Sequence, residues 1–178
     1  YFFEHAALEP YAKAKQSVAT MVGCDPSDLA LVENATTGVN TVLRSLVFEK
    51  GDEILVADHA YKACKNALDF VARRWGAHVV TFEIPFPIEH EDVVLESMQQ
   101  AITERTVFAM IDSVTSPTAL RLPFETMIEE LEGRGIEVLL DAAHGIGMIP
   151  LNLSELGASY VTSNCHKWLC APKGAAFL

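Results

Sequence analysis

Residues 162–174, TSNCHKWLCAPKG, set Lys167 between His166 and Trp168, after an apolar run and before a Pro-Lys-Gly turn. A lysine partly withdrawn from water near other cations, here His166 and Lys173, has its charged form disfavoured. It can then serve as a neutral nucleophile toward an aldehyde. Taken alone, the same residue also reads as a side chain that lays its stem on apolar surface and keeps its head in water. Asp141 closes the run IEVLLD, in which Glu137 is the only other charge. Its carboxylate stands at a strand end with limited solvation and needs a cationic or donor partner. One reading is a helix cap or a salt bridge; the other is a fixed anion aimed at a protonated heterocycle nitrogen.

A third group lies in ENATTGVN, residues 33–40, where Thr36, Thr37 and Gly38 stand at the passage from loop to helix. Free backbone N–H groups there, with the helix dipole and two hydroxyls, make an anion cradle. A threonine N-cap is the plainer reading of that motif on its own. The coincidence of a cradle with a strand-end Asp, Lys and His is what pyridoxal phosphate requires. Its phosphate needs the cradle, its aldehyde the amine, and its pyridine nitrogen a carboxylate that keeps the ring protonated as an electron sink.

These residues must be carried by elements that end near one another. Residues 9–22 have apolar spacing near 3.6, with Pro10 at the first turn and Gly23 where the helix ends. A second helix begins in NATTGVNTVLRSLVF. Then EILVAD, AHVVTFEI, TVFAMIDSV and IEVLLDAA read as strands, separated by helices in YKACKNALDFVARRWG, EDVVLESMQQAIT and FETMIEELEGRG. A final strand pair is expected in ASYVTSN and GAAFL, and the Pro-containing segment 83–92 reads as a loop. Strands apolar on both faces, alternating with helices, predict an α/β fold. The architecture is a three-layer αβα arrangement around a mostly parallel sheet. Ligands gather at the carboxyl ends of such strands, and the polar residues follow the apolar runs: Asp58 and His59, Asp112 and Thr115, Asp141 and His144, Asn164, His166 and Lys167.

The chain of 178 residues is half apolar, 21% charged and carries a formal charge of −11. It has no Lys/Arg cluster that would track a phosphate backbone, so nucleic acid is not an expected partner. No apolar stretch is long enough for a membrane span, and the first residues lack the pattern of a signal peptide. A cytoplasmic protein is expected. Cys24, Cys64, Cys165 and Cys170 form no CxxC pair and read as reduced thiols, and the six histidines show no metal-ligand spacing. No metal site is expected. A start without Met and an apolar end read as a fragment, one domain spanning 1–178 and incomplete at both ends.

The motifs ENATTGVN, VADHAYKAC, IDSVTSPT, LLDAAHGIG and NCHKWLCAPKGAAFL resemble, in order and over nearly the whole chain, the class V aminotransferase superfamily of fold-type I pyridoxal phosphate enzymes. The resemblance is nearest to the branch of isopenicillin N epimerase and hercynylcysteine sulfoxide lyase, with cysteine desulfurases more distant. It implies that Lys167 forms the Schiff base with the cofactor, Asp141 partners the pyridine nitrogen, and His144 bonds the 3-oxygen of the ring. It also implies that His59 stacks on the ring, with Tyr61 sharing that wall or moving a proton. Thr36, Thr37 and Gly38 would hold the phosphate, closed from the other side by Asn164 and His166. Thr115 stands near a position that desulfurases fill with Asn, which leaves its role open. The implied enzyme acts on an amino acid by epimerase or C–S lyase chemistry, with desulfuration, transamination or a truncated non-catalytic relative as alternatives. A homodimer and a C-terminal small domain outside this chain are also implied.

Overall fold

The computed structural model describes residues 5–178 of the chain. The strands are β1 (Leu31–Val32), β2 (Glu53–Ala57), β3 (His78–Phe82), β4 (Thr106–Asp112), β5 (Glu137–Asp141), β6 (Tyr160–Asn164) and β7 (Ala176–Phe177). The α-helices are α1 (Leu8–Val22), α2 (Ala35–Ser45), α3 (Lys62–Trp75), α4 (Asp92–Ala101), α5 (Phe124–Gly133) and the short α6 (Leu153–Leu156). The strands join in one sheet in the order β1-β7-β6-β5-β4-β2-β3. From β6 to β3 all neighbours are parallel, whereas β7 pairs antiparallel with both β6 and β1. The order reverses at β2, whose neighbours are β3 and β4. Chain crossovers therefore leave in opposite directions there, and the strand ends beside it open a crevice.

Helices cover both faces because the strands are apolar on both. Leu55, Ala57, Ala109, Ile111, Val138 and Leu140 pack with residues of α4 and α5. Ile54, Val56, Phe108, Met110 and Leu139 pack with α2 and α3. Each fully buried leucine or isoleucine in these layers contributes about 1.5–3 kcal/mol of transfer free energy. A third cluster seats the end of α1, through Ala19 and Val22, against Ile146, Cys165 and Phe177.

The alternation of strand and helix anticipated from the sequence is present, with α3 closed by Gly76 in the left-handed conformation. β1 and α6 were not anticipated. Two residues of strand and four of helix carry no readable period, and both form because β7 and α5 offer partners. Among the described residues, no helix is long and apolar enough to cross a membrane.

Candidate active site

A strand turns alternate side chains to opposite faces. Met110 and Leu139 point toward α2 and α3, so two residues further on Asp112 and Asp141 point there too. The same count on β6 carries Thr162 and Asn164 to that face. Asp112 and Asp141 stand directly opposite each other in the β4–β5 register, and Thr162 opposite Asp141 on the other side. The carboxyl edges of three neighbouring strands thus present two carboxyls and an amide beneath the N-termini of α2 and α3. A small cleft opens at this edge. Of the anticipated residues it takes Thr36, Tyr61, Asp141, His144, Asn164 and Lys167, and it adds Asp112 and Ser116. Two wider hollows, beside α5 and α6 and beneath α1, hold none of them.

Asp141 is 3% exposed, and its Oδ1 accepts the Ala143 N–H at 3.0 Å. Its Oδ2 accepts the Cys64 thiol at 3.4 Å. Burial pushes this carboxyl above the usual range, against the Ala143 N–H, the Cys64 thiol and the charge of Lys167, which favour the anion. Cys64 sits in the first turn of α3 and is buried. Its own ionisation is pushed far up, first by burial and then by Asp141, so it serves as a thiol donor and not a nucleophile. Nothing in the sequence marks Cys64 for this place, because it becomes Asp141's neighbour only when α3 packs across the sheet.

Lys167 lies three residues beyond the end of β6, in a turn. The residue as a whole is exposed, and Trp168 is 50% exposed, so the lysine is not hemmed in by its sequence neighbours. Its amine nevertheless faces the cleft and meets His144 Nε2 at 3.1 Å. The other ring nitrogen, Nδ1, accepts the Trp168 indole N–H at 3.1 Å. An indole nitrogen is a donor only. In a neutral His144 the ring proton is therefore on Nε2, and the hydrogen bond to Lys167 runs from the imidazole to an uncharged amine. Burial lowers the pKa of Lys167, against the pull of Asp141, and burial with the nearby lysine charge lowers that of His144. Burial thus disfavours the protonated form of each. Gly147 fixes the approach. It has a φ of +81°, and a Cβ there would meet the backbone of Trp168 and Leu169 at 2.6 Å, so the turn carrying His144 rests directly on the turn carrying Lys167.

The anion cradle is narrower than its motif. Asn34 caps α2: its Oδ1 accepts the Thr37 N–H at 2.8 Å and lies 3.3 Å from the Thr37 hydroxyl. Thr37 is thereby committed to the cap, and the cap is Asn34, not threonine. Gly38 contributes through its size, since a Cβ would run into the buried Thr162 side chain. The Ala35 N–H donates to Asn164 Oδ1 at 2.9 Å. The Thr36 N–H, between them, has no partner among the described residues, and Asn164 keeps its amide NH₂. His166 bonds Ala175 O through Nδ1 at 2.8 Å and does not line the cleft. His59 also stands outside the cleft lining. Its Nδ1 lies 3.0 Å from Thr118 Oγ1, which lies 2.8 Å from Thr115 Oγ1. Thr115 is buried and accepts the Leu120 N–H at 2.9 Å, which binds it to the loop after β4 and leaves the next residue, Ser116, at the cleft.

Residues 2–178 match the profile of the aminotransferase class-V family. The chain belongs to that family. Class-V relatives include isopenicillin N epimerase of Streptomyces clavuligerus, 36% identical over 93% of this chain and 42% of its own length. Putative L-cysteine desulfhydrase 1 of Oryza sativa subsp. japonica is 31% identical over 99% of this chain and 40% of its length. Hercynylcysteine sulfoxide lyase of Schizosaccharomyces pombe is 30% identical over 99% and 45%. The chain thus spans less than half the length of these class-V relatives. Among solved structures, the cystine C-S lyase C-DES, in a mutant with glycine covalently linked to its PLP cofactor, superposes with a TM-score of 0.88 at 23% identity. It covers 99% of this chain and 49% of that one. The cysteine desulfurase of Thermococcus onnurineus gives a TM-score of 0.87 at 18% identity, over 97% and 42%.

Proposed function

We propose that residues 1–178 are the cofactor-binding large domain of a pyridoxal phosphate enzyme that acts on an amino acid, by epimerase or C–S lyase chemistry. The observation that carries this reading is the convergence on one cleft of the Lys167 amine, the buried Asp141 carboxyl and the N–H of Thr36 at the start of α2. The donor set fits the cofactor. Lys167 would meet the aldehyde, Asp141 the ring nitrogen, and Thr36 with the Asn164 amide the phosphate. Bound pyridoxal phosphate supplies an aldehyde for covalent attachment and a protonated ring that withdraws electrons.

The remaining chemistry belongs to the chain. Lys167 and His144 touch across the cleft, and His144 Nε2–H would be the donor for the ring oxygen of the bound cofactor. The Cys64 thiol and the Ala143 N–H hold Asp141 in one orientation. In its uncharged form Lys167 would be the base for a proton at the α-carbon of the amino acid. Tyr61, at the N-terminus of α3 and lining the cleft, would make a second proton transfer. In the same reading His59 would stack on the cofactor ring, Thr37, Gly38 and His166 would serve the phosphate site, and the role of Thr115 stays open.

Epimerase and lyase chemistry are favoured over transamination and desulfuration by the sequence relatives, whose names include an epimerase, a sulfoxide lyase and a desulfhydrase. A homodimer belongs to the same reading: Tyr61, which lines the cleft, and Trp168, hydrogen-bonded to His144 of its lining, leave aromatic surface exposed for a second subunit to cover. So does a cytoplasmic location, in keeping with four free cysteines.

The test uses the full-length protein carrying this chain. Incubation with pyridoxal phosphate should give the visible band of a protonated imine, and borohydride should fix an adduct that maps to Lys167. Loss of both in Lys167→Ala is expected; an adduct elsewhere, or an unchanged band in that variant, would overturn the assignment. Racemised α-carbon or a released sulfur species then distinguishes epimerase from lyase.

A further inference from the structure

Three acids are buried among the described residues: Glu53, Asp112 and Asp141. Glu53 has Arg105 and Thr103 as partners, and Asp141 has the Ala143 N–H and the Cys64 thiol. Asp112, 3% exposed, has a carboxyl oxygen, Oδ2, buried with no partner at all. It lines the cleft and stands directly opposite Asp141 in the register of adjacent parallel strands, on the same face. Two buried carboxyls this close cannot both hold a charge in a poorly solvated site, so the pair keeps a proton.

The donors decide where that proton sits. An anion on Asp141 is met by two hydrogen bonds, whereas Asp112 Oδ2 is met by none among the described residues. We propose that Asp112 is a second acid of the site, a neutral carboxylic acid that holds the proton of the pair, keeps Asp141 anionic and presents an O–H donor at the floor of the cleft. Burial and the neighbouring Asp141 both raise its affinity for a proton, in agreement with this placement. The other groups facing the pair are Cys64, a neutral thiol, and the Lys167–His144 couple across the cleft. None of them supplies Asp112 with a cation. That the acid acts toward the cofactor rests on the function proposed above; its protonation does not.

Infrared difference spectroscopy of the full-length protein at neutral pH, with and without ¹³C-aspartate labelling, reads the proton directly. Glu53 is held below the usual range by its Thr103 hydrogen bond and by Arg105. Among the acids of the described residues, the C=O stretch of a protonated, buried aspartic acid is therefore expected from this pair, and the variants assign it. The band should be lost in Asp112→Asn and retained in Asp141→Asn and in Lys167→Ala. Absence of the band in the wild type, or its loss in Asp141→Asn with retention in Asp112→Asn, would overturn the proposal. Either aspartate variant settles the assignment if the other does not fold. A band that behaves as expected in a protein that forms no borohydride adduct would sink the cofactor reading and leave the acid pair standing.

Discussion

The reactivity of Lys167 depends on a residue that never touches the reacting atoms. Trp168 donates to His144 Nδ1 and so fixes the proton on Nε2, where it meets the lysine amine. Trp168→Phe keeps a ring of similar shape and removes that donor. One net hydrogen bond is worth about 1 kcal/mol, so adduct formation at Lys167 near neutral pH should slow by about 3- to 10-fold. The ¹⁵N shifts of His144 should change from a fixed Nε2–H tautomer to a mixture. A loss of packing alone would slow the reaction without moving the tautomer. The wild-type pH profile carries a sign as well. Burial holds the Lys167 pKa below that of an ordinary lysine, so the neutral amine accumulates, and trapping should level off, at a lower pH than for a surface lysine.

The second helix reaches the cleft because a glycine lets it lie on the sheet. Gly38 has an ordinary helical backbone, but a methyl group on it would strike Thr162. Thr162 is fully buried, is branched at Cβ and donates to Phe177 O at 2.7 Å, so it cannot turn aside. Overpacking of this kind costs about 1–3 kcal/mol. Gly38→Ala should therefore lower the urea midpoint accordingly and, by lifting the N-terminus of α2 from Asn164, weaken retention of free phosphate and of the cofactor. Unchanged stability in that variant would show that the helix has room the structure does not give it.

Across the molecule the polar groups divide between the two ends of the strands. At the carboxyl edge buried Asp112 Oδ2 has no hydrogen-bond partner among the described residues, whereas at the amino edge buried Glu53 is paired. Glu53 opens β2 there, accepting from Thr103 Oγ1 at 2.6 Å and from Arg105 Nε at 3.0 Å. The Thr103 hydrogen bond and Arg105 hold its carboxyl below the usual range in spite of burial. A folded pKa below the unfolded one means the unfolded state takes up its proton first. The stabilisation is complete above the ordinary glutamate range and is lost as the pH falls through the lower folded value. Glu53→Gln should cost about 1–3 kcal/mol near neutral pH, and the gap in urea-derived stability should narrow in acid. A gap that widened in acid would contradict the assignment.

The local code of the chain set the strand and helix succession, because apolar runs and periods are properties of neighbours in sequence. It also marked Lys167, Asp141, Thr36, His144 and Asn164, since each follows a strand or opens a helix where such folds gather ligands. The remaining site residues needed distances across the chain. Cys64 and Asp141 are 77 residues apart; only the docking of α3 makes one the donor of the other. Thr37 and Thr36 are indistinguishable in ENATTGVN until Asn34 takes the amide of one and leaves the other free. Asp112 ends its strand as Asp141 does. The register that sets them side by side, and so leaves one proton for two carboxyls, exists only in the folded sheet.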